Sequence, residues 1–238
     1  MRLLARKKVV LVIVEGPSDD TALGIILSQI YDKDSVHVHI MHGDITTRKG
    51  VHSGNVIAKI GNEVRLYAKS QHYSPKNFKK IIHIVDMDGA YIPDEKIISD
   101  PKCDDIFYGL DGIHTSDQQG IIQRNKQKAD NLRRLRGTGK IWNIPYQVYY
   151  MSCNLDHVLH NKRNSSDEEK ETDAYEFAKK YKNDIEGFVN FICTSGFSVD
   201  GDYKESWVYI EKGMNSLERH TNLNICIKEE FNKENVDI

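Results

Sequence analysis

Apolar positions along this chain follow two periods. Short runs of branched aliphatic residues, K-V-V-L-V-I-V at 8–14, V-H-V-H-I-M at 36–41, I-I-H-I-V at 81–85 and P-Y-Q-V-Y-Y-M at 145–151, predict four strands. The runs at 8–14 and 81–85 are nearly continuous rather than alternating, which suits strands buried on both faces of a parallel sheet. Between them the spacing changes. Ala22, Leu23, Ile26, Leu27 and Ile30 predict a helix over 19–31, and Val56, Ile57, Ile60, Val64, Leu66 and Tyr67 predict one over 55–70. A third helix is expected over 116–136. Residues 91–115, with Pro93 and Pro101, read as an irregular segment too long to be a simple connection.

Alternating strands and helices mean an α/β fold with a mostly parallel four-stranded sheet. The expected division is one domain over 1–160, carrying an insertion at about 91–140, and a mainly helical C-terminal extension over 161–238. In that extension 161–172 reads as an exposed loop, 173–181, 185–194 and about 205–219 read as helices, and the polar run 222–238 is expected to fray.

Strand ends are where the chemistry gathers. In open parallel sheets ligands bind beyond the carboxyl ends of the strands. The run at 81–85 passes into Asp86-Met87-Asp88-Gly89, the run at 8–14 into Glu15-Gly16-Pro17, the run at 36–41 toward Gly43-Asp44, and the run at 145–151 into Ser152-Cys153-Asn154-Leu155-Asp156. Carboxylates crowded at one edge repel one another unless a cation joins them, and Mg²⁺ prefers such hard oxygen donors. Asp and Gly are also ordinary turn residues. Ser18 reads as a helix N-cap, with Asp19 and Asp20 suiting the positive end of a helix dipole, but no such role accounts for Glu15. His37 and His39 share a strand face, either as ligands or as a half-exposed face, while His42 falls on the other.

Composition narrows the partners. A net charge of −2 gives no global pull toward nucleic acid, so any such contact needs a local patch. The stretch from Arg124 to Lys140 supplies one: Arg124, Lys126, Lys128, Arg133, Arg134, Arg136 and Lys140 read either as a solvated helix face or as a phosphate-contact surface. Cys103, Cys153, Cys193 and Cys226 are scattered and form no C-x-x-C pair, which argues against zinc and for an intracellular, cytoplasmic protein. The apolar run near the N-terminus is read as a strand and not a signal peptide, and no run reaches the ~20 residues that span a bilayer.

The pair V-I-V-E-G-P-S-D-D-T-A-L and I-V-D-M-D-G-A resembles the Toprim domain of topoisomerases, bacterial primases and overcoming-lysogenization-defect (OLD) nucleases. The resemblance spans roughly 8–157 and implies a three-layer, Rossmann-like fold. It implies that Glu15, Asp86 and Asp88 are catalytic, and that Glu15, Asp19, Asp86, Asp88 and Asp156 hold Mg²⁺ or Mn²⁺. Ser152 and Asn154 match its fourth-strand element loosely. It further implies a metal-dependent nuclease acting on DNA or RNA, in phage defence or nucleic-acid processing, with Glu15 as ligand or general base. No Walker motif is present, so an ATPase would come from a separate chain, and a homo-oligomer is left open. Two alternatives stand beside it. One is a Toprim module that binds nucleic acid or a partner without cutting. The other is a haloacid-dehalogenase-type phosphatase with Asp86 as nucleophile and Asp88 as acid, a motif in which Ala90 departs from the usual Thr.

Overall fold

The computed structural model describes residues 7–31, 34–40 and 43–234 of the chain. Four parallel strands form the centre: β1 (Val9–Val14), β2 (Ser35–Ile40), β3 (Phe78–Asp86) and a long fourth strand, Ile144–Ser152, which is β8 in chain order. The sheet runs β2-β1-β3-β8 and is closed on one side by the short antiparallel β7 (Lys140–Ile141), while β9 (His220–Thr221) pairs with the end of β8. The last expected residue of β2, Met41, and His42 lie outside the described residues.

Every residue of β1 is buried, as its unbroken apolar sequence requires. Side chains alternate across the sheet, so Val10, Val12 and Val14 enter one core and Val9, Leu11 and Ile13 the other. The first core is covered by α1 (Pro17–Ile30), α4 (Leu155–His160), α5 (Asp167–Tyr181), α6 (Ile185–Thr194) and α8 (Leu223–Glu234). The second is covered by α2 (Val56–Ser70), α3 (Gln118–Arg136) and α7 (Tyr203–Ile210). The result is an α/β fold of three layers. Among the described residues no helix is long and apolar enough to cross a membrane.

Several expectations change. The first helix begins at Pro17 and not at Asp19, with Gly16 rather than Ser18 at the N-cap, because proline is already set in helical φ at the first position. The segment 91–115 is not irregular throughout: β4 (Ile97–Ser99), β5 (Phe107–Tyr108) and β6 (Ile113–Thr115) make a small second sheet against α3. The expected exposed loop 161–172 already contains the start of α5, capped by Ser166. The helix expected over 205–219 stops at Ile210. Of the polar run expected to fray, 223–234 is helical, because α8 buries Leu223, Cys226 and Ile227, while 235–238 lie outside the described residues. The last third of the chain therefore gives a strand to the main sheet and Trp207 to its core.

His37 and His39 take the structural role. His37 stacks on Tyr67 with ring centroids 4.0 Å apart, and His39 Nε2 lies 3.8 Å from Glu63 on α2. The four cysteines are free thiols.

Candidate functional site

The sheet order carries the chain from β1 outward to β2, then back past β1 to β3. The direction of winding reverses between β1 and β3, the place beyond whose carboxyl ends open α/β sheets form a ligand crevice. β1 delivers Glu15 to that edge and β3 delivers Asp86. They touch: Glu15 Oε1 accepts from the Asp86 backbone amide at 3.3 Å. Both residues are half-buried.

Three further acids stand around this pair. The Asp19 carboxylate turns back to accept from the Glu15 and Gly16 amides at 3.2 and 3.0 Å, which fixes the turn leaving β1. Asp156, in the first turn of α4, is buried and lies close enough to Asp19 and Asp86 to interact with both charges. Asp88 sits in the tight turn after β3, in left-handed backbone (φ 48°) followed by Gly89 at φ 69°. That turn is anchored by the Met87 and Asp88 amides, which donate to the Cys153 carbonyl at 2.9 and 2.7 Å. Asp86 Oδ1 accepts from the Leu155 amide at 2.9 Å, so the end of β8 positions both aspartates.

The structure corrects the reading of the basic helix. Lys128 has no exposed side-chain surface and does not belong to an outward phosphate-contact face. Its Nζ lies 2.7 Å from Asp44 Oδ2 and 2.5 Å from Asp88 Oδ2. Arg124 also turns inward: Nη2 donates to the Asp88 carbonyl at 2.8 Å, and Nη1 reaches the Tyr108 hydroxyl at 3.4 Å. Tyr108 in turn donates to Asp88 Oδ1 at 3.0 Å. Asn125 donates to the Gly89 carbonyl at 3.1 Å. Arg136 pairs with Glu211 at 3.0 Å. Lys126, Arg133, Arg134 and Lys140 are exposed, and two of them are already paired, Lys126 with Asp94 at 3.1 Å and Arg133 with Asp130 at 2.9 Å. The seven cations thus do not share one face.

The charges are unequally satisfied. Burial works against ionised Asp44, but Lys128 and the Thr46 hydroxyl and amide outweigh it and hold the carboxyl below its ordinary range. Burial likewise opposes charged Lys128, and Asp44, Asp88 and Glu15 overcome it and raise its pKa. Glu15 goes the other way: burial first, then Asp44, raises it well above the usual carboxylate range, and Lys128 offsets only part of this. Asp86 is raised by burial, then by Asp19 and Asp88. Asp19 is raised by burial, and Asp156 is raised by burial to about 6. The ionised form is therefore least favoured at Glu15 and Asp86, with Asp19 and Asp156 beside them, and a bound cation would favour it.

Hard carboxylate oxygens are the donor chemistry a magnesium-like ion takes. As the side chains stand, no group of three or more His, Cys, Asp or Glu among the described residues is gathered at metal-holding spacing.

Sequence reasoning put Arg124 and Lys128 on an outward phosphate-contact surface and gave Tyr108 and Asn125 no role. A signal existed for Lys128: Ile121, Asn125, Lys128, Leu132 and Leu135 fall on one helical stripe, and all five are buried.

Compared with protein-family models, curated proteins and solved structures, the chain gives no match in any of the three.

Proposed function

We propose that this chain is a divalent-metal-dependent phosphodiester hydrolase acting on nucleic acid, with a Toprim-like arrangement of acids. The observation that carries the reading is the contact of Glu15 with the Asp86 amide at the reversal point of the sheet, where two acids distant in sequence meet and both are raised by burial and neighbouring carboxylates.

In this reading Glu15, Asp86 and Asp88, with Asp19 and Asp156 beside them, hold Mg²⁺ or Mn²⁺. When bound, such an ion stabilises charge developing on a phosphate and lowers the pKa of an attacking water. The chain's own groups do the rest. Arg124, Asn125 and the Cys153 carbonyl fix the Asp88 turn, and Lys128 holds Asp88 and Asp44 in place and favours ionised Asp44. Glu15, its carboxyl raised above the usual range by burial, keeps Oε1 on the Asp86 amide and has Oε2 left either to hold the ion or to accept a proton.

The test is cleavage of plasmid DNA and of transfer or ribosomal RNA with Mg²⁺ or Mn²⁺, beside Glu15→Gln and Asp86→Asn. Each substitution is expected to reduce cleavage by at least ~100-fold, in line with loss of a transition-state group. Cleavage surviving both points to a contaminant. Hydrolysis of small phosphate esters without polynucleotide cleavage favours the phosphatase.

A second reading, a nucleic-acid-binding module that does not cut, is favoured by Lys128, whose ammonium already neutralises Asp44 and Asp88 where a metal would otherwise be needed. It expects binding without divalent-dependent cleavage.

A further inference from the structure

Beside the strand-end acids the small sheet and the loop before α5 enclose two open recesses, of about 540 and 640 Å³. They share four lining residues: Phe107, Tyr108, Arg163 and Asn164. The walls are tied together, because Asn164 pairs with Tyr108 like a neighbouring strand, accepting from its amide at 2.9 Å and donating to its carbonyl at 3.1 Å.

Two features of this groove are unused by the fold, and a third carries charge into it. Phe107 is 50% exposed on β5, held edge-on by His114 from one side and open on the other. Arg163 Nε and Ser165 Oγ are both buried without a hydrogen-bond partner. Such groups cost stability unless a ligand meets them. Lys170 lines the first recess and lies near enough to Asp19 and Asp156 to bear on both. The groove therefore reaches from Phe107 to Lys170, whose charge bears on Asp19 and Asp156. Lys102, Arg163 and Lys170 outnumber Asp104 and Asp105 along the first recess.

We infer that this groove is a subsite for unpaired nucleotides of a single strand, with a base stacked on Phe107 and backbone phosphate on Arg163 and Lys170. An open aromatic face needs an unstacked base, which a duplex keeps inside its helix. A guanidinium with a free N–H beside a hydroxyl suits a phosphate oxygen. Tyr108 joins the subsite to the chemistry, since it lines both recesses and donates to Asp88 Oδ1. The inference rests on the hydrolase reading for the identity of the ligand, and its test is kept separate.

The full chain is titrated against labelled ten-nucleotide oligo-U and oligo-dT and a duplex of equal length, in chelator so that no cleavage occurs, with fluorescence anisotropy as readout. Single strands are expected to bind more tightly than the duplex. Phe107→Ala is expected to weaken them about tenfold, consistent with loss of one stacked base, and Phe107→Trp to restore binding. Arg163→Ala is expected to weaken binding and flatten its salt dependence, while Arg65→Ala on α2, in the opposite layer, leaves binding unchanged. Thermal melts confirm that each variant is folded. Equal binding of the duplex, no binding of either oligonucleotide, or binding indifferent to Phe107 and Arg163 overturns the subsite. Metal-dependent cleavage is scored separately on the same preparations. Glu15-dependent cleavage with Phe107-indifferent binding removes the subsite and keeps the hydrolase. Phe107-dependent binding with no cleavage does the reverse.

Discussion

Lys128 lies wholly inside the protein with its ammonium 2.5 Å from Asp88 Oδ2, and the same ammonium reaches Asp44 at 2.7 Å. A helix cation and two strand-end acids thus make one buried triad. Breaking such a triad from one side leaves charges unpaired and costs several kcal/mol. Asp44 and Asp88 keep 12% and 20% of their side-chain surface, which lets water take up part of that charge.

Lys128→Met is therefore expected to lower stability by about 3 kcal/mol, the low end of the range for a buried pair. In a chain of this size that corresponds to a melting point lower by roughly 6–12 °C. Millimolar Mn²⁺ is expected to recover more of this loss in the variant than it adds to the wild type, because the freed carboxylates attract the cation. Melting curves with and without Mn²⁺ check both statements; an unaltered melting point contradicts the triad's role.

Gly89 is the second sensitive position. Its φ of 69° is left-handed, and a Cβ there would stand 2.9 Å from Ile113 Cδ1. Gly89→Ala is expected to cost about 1–2 kcal/mol in strain and displaced packing. It should also shift the Asp88 turn, so metal binding or cleavage falls even at temperatures where the variant is folded. A Gly89→Ala protein with wild-type stability and activity contradicts this account of the turn.

His83 makes the fold acid-sensitive. It is buried on β3, with Nδ1 2.8 Å from the Tyr146 hydroxyl, and burial lowers its pKa from 6.5 to about 4. Between those values the unfolded chain binds the proton and the folded one does not, so the stabilisation is complete above about pH 6.5 and is lost as pH falls toward 4. The loss from this residue is about 3 kcal/mol at most. Burial lowers His157 to about 4 as well, adding a change of the same sign. Denaturant midpoints taken across this range are expected to decline toward acid, and His83→Phe is expected to make the decline shallower.

How much of this was legible in the sequence follows from what each residue's signal depends on. Strand β1 and the 81–85 run of β3 announce themselves because they are buried on both faces, so every position but His83 is apolar. Glu15 and Asp86 stand out because they interrupt that pattern at the point where ligands bind in parallel sheets. Lys128 is different. Its charge argues for solvent, and only the phase of its helix places it with Leu132 and Leu135. Tyr108 and Arg163 carry no local pattern at all, since Tyr108 sits in a three-stranded insertion whose strands are two or three residues long and Arg163 in the loop between α4 and α5. The polar C-terminal run hid a helix because Leu223, Cys226 and Ile227 are enough to seat one face while the other stays charged.

Glu15 and Asp86 sharing one ion is the claim on which the functional reading stands. It is tested most directly by the anomalous scattering of Mn²⁺ in crystals of the full chain grown or soaked with that ion. A peak bound by the Glu15 and Asp86 carboxylates together, absent from Glu15→Gln crystals treated alike, is the expected result. A peak away from both carboxylates, or none at a Mn²⁺ concentration that supports cleavage in solution, contradicts it.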